Sequence, residues 1–117
     1  MGKFTFKKEE RISKEKIIQE LFEKGSSFYL YPFKVFFLPN PDAAFPVHQI
    51  LISVSKKNFK RAVDRNLIKR RIREAYRLNK NMLADRNKML IAYIYSVKEI
   101  LPSVQIHERL IKTFKRF

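Results

Sequence analysis

Residues 56–80, KKNFKRAVDRNLIKRRIREAYRLNK, constrain this chain more than any other stretch. They contain neither Gly nor Pro, so a helix is predicted from about 60 to 79. Eleven of the 25 residues are Lys or Arg, opposed only by Asp64 and Glu74, which leaves nine of the chain's fifteen net positive charges here. A positive segment this dense is an electrostatic footprint for a polyanion, and phosphodiester backbone is the leading candidate.

At about 100° per residue, Arg65, Asn66, Lys69, Arg70, Arg73 and Arg77 share one broad side of this helix. Val63, Leu67 and Ala75 fall roughly opposite, with Ile68 beside them; Arg71, Ile72 and Tyr76 fit that division poorly. Lys56, Lys57 and Arg61 extend the cationic run on its N-terminal side. Like charges at i,i+4 repel by a few tenths of a kcal/mol per pair in a free helix, so the row favours a partner that supplies negative charge. Asn66 places a neutral donor and acceptor in the row, suited to a 2′-OH, a base edge or a phosphate. A merely solvated face normally mixes signs, and this one does not.

The remaining chain is not a basic tail. With 117 residues, 45% of them hydrophobic and with 11 Phe and 5 Tyr, it has the length of one domain and the means to build a core. Residues 1–11 read as a mobile basic arm. A helix follows, with Ser13 as cap, Ile12 and Ile17 at staple positions and Gly25 as its stop; Ile17, Ile18, Leu21 and Phe22 share a face. SSFYLYPFKVFFLPN predicts a strand at 33–38 and an edge strand at 27–31, split by Pro32. PNPDAAFPVH is a loop, QILISVS (49–55) a strand, and KMLIAYIY (88–95) a strand apolar on both faces, hence covered on both. Pro102 and Ser103 open a last helix with Val104, Leu110, Ile111 and Phe114 as its apolar positions. The order α-β-β-β-α-β-α indicates a small α+β sandwich: helices packed on one mostly antiparallel sheet of about four strands.

No constellation for protein-borne catalysis is visible. There is no Cys, and neither His48 nor His107 has a partner at metal-ligand spacing, so both read as structural. Asp42 and Asp85 sit in loops, and Glu9, Glu10 and Glu15 precede or open the first helix; none forms the carboxylate cluster of a two-metal nuclease. The N-terminus lacks the apolar core of a signal peptide, and no apolar run approaches the roughly 20 residues of a membrane span. The expectation is a cytoplasmic protein with no membrane association.

SVSKK (53–57), AVDRN (62–66) and IKRRIRE (68–74) together resemble the signature of the bacterial ribonuclease P protein component, S-x-K, a short spacer, then A-V-x-R-N-x-x-K-R-x-x-R-E. The resemblance extends through chain length and element order over nearly all of the sequence. One departure stands out: Leu67 occupies a position often held by Arg, which removes one phosphate contact or passes it to Arg70 or Arg71. The resemblance implies a subunit that assists a catalytic RNA in endonucleolytic removal of the 5′ leader from precursor tRNA. It implies Mg²⁺ held mainly by the RNA, no catalytic residue in the protein and no obligate protein partner. It also implies a left-handed βαβ crossover. Lys56, Lys57, Arg61, Arg65, Asn66, Lys69, Arg70, Arg73 and Arg77 would face the ribonuclease P RNA. A cleft between the first helix and the sheet would hold the leader.

Alternation on strand 33–38 places Lys34, Phe36 and Leu38 on one face and Phe33, Val35 and Phe37 on the other. A Phe beside a Lys on an open face can stack an unpaired base and pair its phosphate. By alignment Phe36, Phe22 and Ile18 match cleft positions of the family. By residue type alone, Phe22 fits core packing and Phe36 fits either role. Ser53 and Ser55 share a face beside Lys57, as phosphate-binding hydroxyls or as polar strand-end residues. The competing readings are a structured-RNA binder of ribosomal or chaperone type, a protein nuclease, and a DNA-binding recognition helix. The absent carboxylate cluster disfavours the nuclease, and aromatic residues suited to unstacked bases disfavour a duplex reader.

Overall fold

The computed structural model describes residues 8–41 and 47–117. A short 3-10 turn, Lys8–Glu10, precedes helix α1 (Glu15–Lys24). Strands β1 (Ser26–Leu30), β2 (Phe33–Pro39) and β3 (Gln49–Val54) lead to the long helix α2 (Ala62–Asn79), and strand β4 (Met89–Tyr95) and helix α3 (Ser103–Phe114) complete the chain. The four strands form one sheet in the order β1-β2-β4-β3. β1–β2 and β2–β4 are antiparallel and β3–β4 is parallel, so the sheet is mixed. The β1–β2 hairpin turns through Tyr31 and Pro32, whose peptide bond is cis.

The period-2 pattern sends side chains to two differently covered faces. On one, Phe33, Val35, Ile50, Val54, Ile91, Tyr93 and Tyr95 are buried against Ile68, Ile72 and Tyr76 of α2 and Ile106, Leu110 and Phe114 of α3. On the other, α1 brings Leu21, Ile17 and Ile18 onto Leu90, Ala92, Phe36, Leu38 and Leu51. β4 lies between β2 and β3 with helices over both faces, in keeping with a sequence, MLIAYIY, that carries no charged residue.

Four sequence expectations change. Residues 1–7 and Asp42 lie outside the described residues, and residues 8–11 are docked rather than a mobile arm. Arg11 pairs with Ile50 beside β3, and the nearly buried Glu10 accepts from Lys80 Nζ at 2.7 Å. α1 begins one residue later than Ser13 implied: Lys14 is its N-cap, and no side chain caps it. Val104 is 71% exposed, and the α3 core positions are Ile106, Leu110 and Phe114, because α3 begins at Ser103 and turns its first residues outward. The apolar side of α2 is Ile68, Ile72, Ala75 and Tyr76, whereas Val63 is 64% exposed. Val63 lies about 180° around the helix from the buried Ile72, on the side turned from the sheet.

His48 has the structural role expected of it. It is buried; Nε2 donates to the Leu83 carbonyl at 2.8 Å, and Nδ1 accepts from the Met89 N–H at 3.1 Å. Both ring nitrogens are therefore satisfied only in the neutral form. Burial holds the imidazole below its ordinary value of 6.5, aided by Lys88 and Arg86 and opposed by the Leu83 hydrogen bond and Glu10. A base whose folded-state pKa is depressed contributes stability above its unfolded pKa and loses it as pH falls through that value toward the folded one. Urea melts are expected to show stability falling below about pH 6.5, with a shallower fall for His48→Gln. Equal pH slopes for both proteins would exclude His48 as the cause.

Candidate nucleic-acid interface

The loop before α2 is built around one apolar anchor. Phe59 is buried, with its ring 6.0 Å from that of Tyr95, and its N–H donates to the Ser55 carbonyl at 3.0 Å. Pinning Phe59 inward leaves Lys56, Lys57, Lys60 and Arg61 exposed around it. Ser55 Oγ accepts the Lys57 N–H at 3.0 Å, so this hydroxyl caps the turn. Arg65 turns back on the same loop: its Nη1 donates to the carbonyls of Phe59 at 2.8 Å and Lys60 at 2.9 Å. The helical spacing alone gave no sign of this second task. It depends on where the loop carbonyls lie in space.

Along α2 the cations sort into three groups. Arg70 is exposed, as is the neutral Asn66, with Lys69 and Arg73 half-buried. Arg77 is paired with Glu74, whose carboxyl its guanidinium holds below the usual range; the pair is exposed and solvent-screened. Arg71 belongs to the fold, since its Nη1 donates to the Leu101 carbonyl at 2.7 Å and ties α2 to the entry of α3. Leu67 lines a depression with Arg70, Arg71, Glu74 and Ser103 at the α2–α3 seam. Arg70 is thus better placed than Arg71 to replace a cation at position 67.

The second surface lies on the opposite side of the sheet. Cross-strand pairing sets Tyr29, Lys34, Ile94 and Ser53 in one row across all four strands, and Ser27, Phe36, Ala92 and Leu51 in the next. α1 covers the second row only in part. Phe22, 36% exposed, meets Phe36 edge-to-face with centroids 4.8 Å apart and planes at 75°. Lys34 Nζ sits 5.7 Å from the Phe36 centroid. Ile18 is half-buried on the α1 side of this cluster. Tyr29, 54% exposed on edge strand β1, is the aromatic that sequence reasoning missed; only the β1–β2 register puts it in the row with Lys34. Strand β3 separates the two surfaces, with α2 packed against one face of the sheet and Ser53 directed to the other.

Among the described residues, no three His, Asp or Glu side chains converge as a metal-binding group. No helix among them is long and apolar enough to cross a membrane. The sequence profile of the ribonuclease P family matches residues 6–117. The chain belongs to the ribonuclease P protein family. It is 35% identical over 120 residues to the ribonuclease P protein component of Dictyoglomus turgidum, covering 99% of this chain and 95% of that protein. It is 42% identical over 82 residues to that of Porphyromonas gingivalis strain W83, covering 70% of this chain but only 60% of the relative. The RNase P protein of Staphylococcus aureus superposes with a TM-score of 0.76 at 30% identity, covering 92% of this chain and 94% of that one. The RNase P protein of Thermotoga maritima does so with a TM-score of 0.78 at 26% identity, covering 92% and 97%.

Proposed function

We propose that this chain is the protein subunit of a cytoplasmic ribonuclease P, assisting an RNA that cleaves the 5′ leader from precursor tRNA. The observation that carries the reading is the pair of surfaces on either side of β3. One is a cationic loop and helix flank suited to folded RNA. The other is an open aromatic row with a lysine, suited to unstacked nucleotides. Lys56, Lys57, Arg61, Asn66, Lys69, Arg70 and Arg73 would meet the RNA subunit, with Arg77 a weaker contributor because Glu74 opposes it. Arg65 would act chiefly by shaping the loop. Phe36, Phe22, Lys34 and Ser53 would hold the leader, Ile18 would back them, and Tyr29 would extend the row. Ser55 would support Lys57. In this reading Mg²⁺ would be held by the RNA, and the hydrolysis would be the RNA's.

Reconstitution with a bacterial ribonuclease P RNA tests the reading. The protein is expected to restore cleavage of precursor tRNA at low Mg²⁺ and to be inactive by itself. RNA affinity without any stimulation would favour a plain structured-RNA binder. Binding to the RNA subunit should weaken steeply with salt, with a log–log slope of roughly −4 to −7 for about five to eight phosphate contacts. Arg73→Ala should weaken assembly by about 1 kcal/mol and make that slope shallower by about one. A flat salt response would refute phosphate recognition.

A further inference from the structure

Helix α3 carries a second cationic stripe that the reading above leaves unused. Arg109 and Lys112, at i and i+3, share one side of α3, and Arg116 follows in the turn just past its end, its N–H bonded to the Thr113 carbonyl at 2.9 Å. The opposite flank of α3 is taken by α2: Asn79 Nδ2 donates to His107 Nε2 at 2.8 Å, and the rings of Tyr76 and Phe114 lie 6.3 Å apart. The stripe therefore faces away from α2, over the β1–β2 hairpin. There two of its cations lie over aromatic rings. The Arg116 guanidinium carbon is 4.5 Å from the Phe28 centroid, and that of Arg109 is 5.9 Å from the Tyr31 centroid. Phe28 is held by Phe37 and Phe117, and Tyr31 donates to Glu99 at 2.9 Å, so the platforms under both guanidinium groups are fixed.

Among the described residues, none of the three cations has an ion-pair partner within 4.0 Å. Over residues 98–117 five cations face two acids, Glu99 and Glu108. Arg109 lies over Tyr31 at the hairpin turn and Arg116 over Phe28 within β1, so the two guanidinium groups are set over different platforms. Pre-oriented guanidinium groups of one sign, with Lys112 between them in the chain, match the charge of a nucleic-acid backbone. We infer that the outer flank of α3 binds the phosphodiester backbone of a second RNA segment, distinct from the one that meets α2. The inference rests on the reading of the chain as an RNA-binding subunit. Two grips on opposite flanks would raise the effective concentration of each segment for its site.

The chain has no Cys, so a single introduced thiol can carry a hydroxyl-radical-generating iron chelate. Lys112→Cys and Lys69→Cys would be tethered separately and assembled with the ribonuclease P RNA, with and without precursor tRNA. Scission from position 112 is expected at a segment different from that cut from position 69. Cuts in the RNA subunit would assign the stripe to that RNA, and cuts appearing only in added precursor would assign it to the substrate. Cleavage from 69 with none from 112 would overturn the inference and leave the proposed function standing. Cleavage from neither would count against both. Replacing Arg109, Lys112 and Arg116 together by Gln should make the salt dependence of binding shallower by about two to three in log–log slope. The same change at Lys14, Lys16 and Lys24 sets the background for charge removed elsewhere. Equal slopes for the two triple variants would also overturn the inference.

Discussion

Gly25→Ala is expected to destabilise the fold by about 2–3 kcal/mol, the range for overpacking a site that cannot yield plus a lost backbone hydrogen bond. A Cβ built there would lie 2.4 Å from the Leu21 carbonyl oxygen and 3.0 Å from that of Phe37. Both obstacles are backbone atoms, so relief requires moving α1 or β2. The φ of −72° at this position is open to any residue. Glycine is therefore required by close approach and not by a left-handed conformation. The Gly25 N–H to Leu21 carbonyl bond, 2.9 Å, closes the last turn of α1 and would be the first to open. Because Phe22 sits in that turn, the same substitution should also weaken binding of a single-stranded leader. A urea melt and a leader-binding titration on one variant check both effects. A Gly25→Ala protein as stable as its parent would show that the junction is looser than these distances imply.

Phe36→Ala is expected to reduce affinity for precursor tRNA by about 2 kcal/mol, near thirtyfold, the worth of one base–aromatic stack. Affinity for mature tRNA should be unchanged, since no leader is present to occupy the row. The ring is only half-buried, resting edge-on against Phe22, so truncation should cost about 1–2 kcal/mol of stability, less than the 3–5 of a fully enclosed Phe. Phe33, on the same strand and fully buried between Tyr93 and Tyr95, is the contrast: Phe33→Ala should lower stability by the larger amount and impair every activity together. If Phe36→Ala weakens both tRNAs equally and melts like Phe33→Ala, the ring is packing and the leader is held elsewhere.

Much of this protein is legible without coordinates, for reasons that are local. Alternation in FKVFFLP separates Phe33 and Val35 from Lys34 and Phe36, and the sheet keeps that division, because a strand has only two faces. The apolar run MLIAYIY announces a strand covered on both sides. The absence of Gly and Pro over residues 56–80 announces α2, and the density of Lys and Arg announces its partner. The family signature in SVSKK and AVDRN carries the rest of the functional expectation.

Position around a helix is legible only in part, because a helix has no intrinsic inward side. The sheet and α3 together choose Ile68, Ile72, Ala75 and Tyr76 as the buried side of α2, and that choice leaves Val63 in solvent. Tertiary structure also decided which cations are free. Arg65 is held by loop carbonyls, Arg71 by the Leu101 carbonyl and Lys80 by Glu10, while Lys69, Arg70 and Arg73 make no such bond among the described residues. Residue type cannot distinguish these, since a guanidinium or ammonium donates to a carbonyl or to a phosphate with the same N–H groups, and only distance selects between them. The same holds for Tyr29, which joins the row of Lys34 through the pairing of an edge strand. The sequence by itself determined the elements, the two faces of each strand and the sign of the partner. Packing between elements far apart in the chain decided which side chains remain available to meet it.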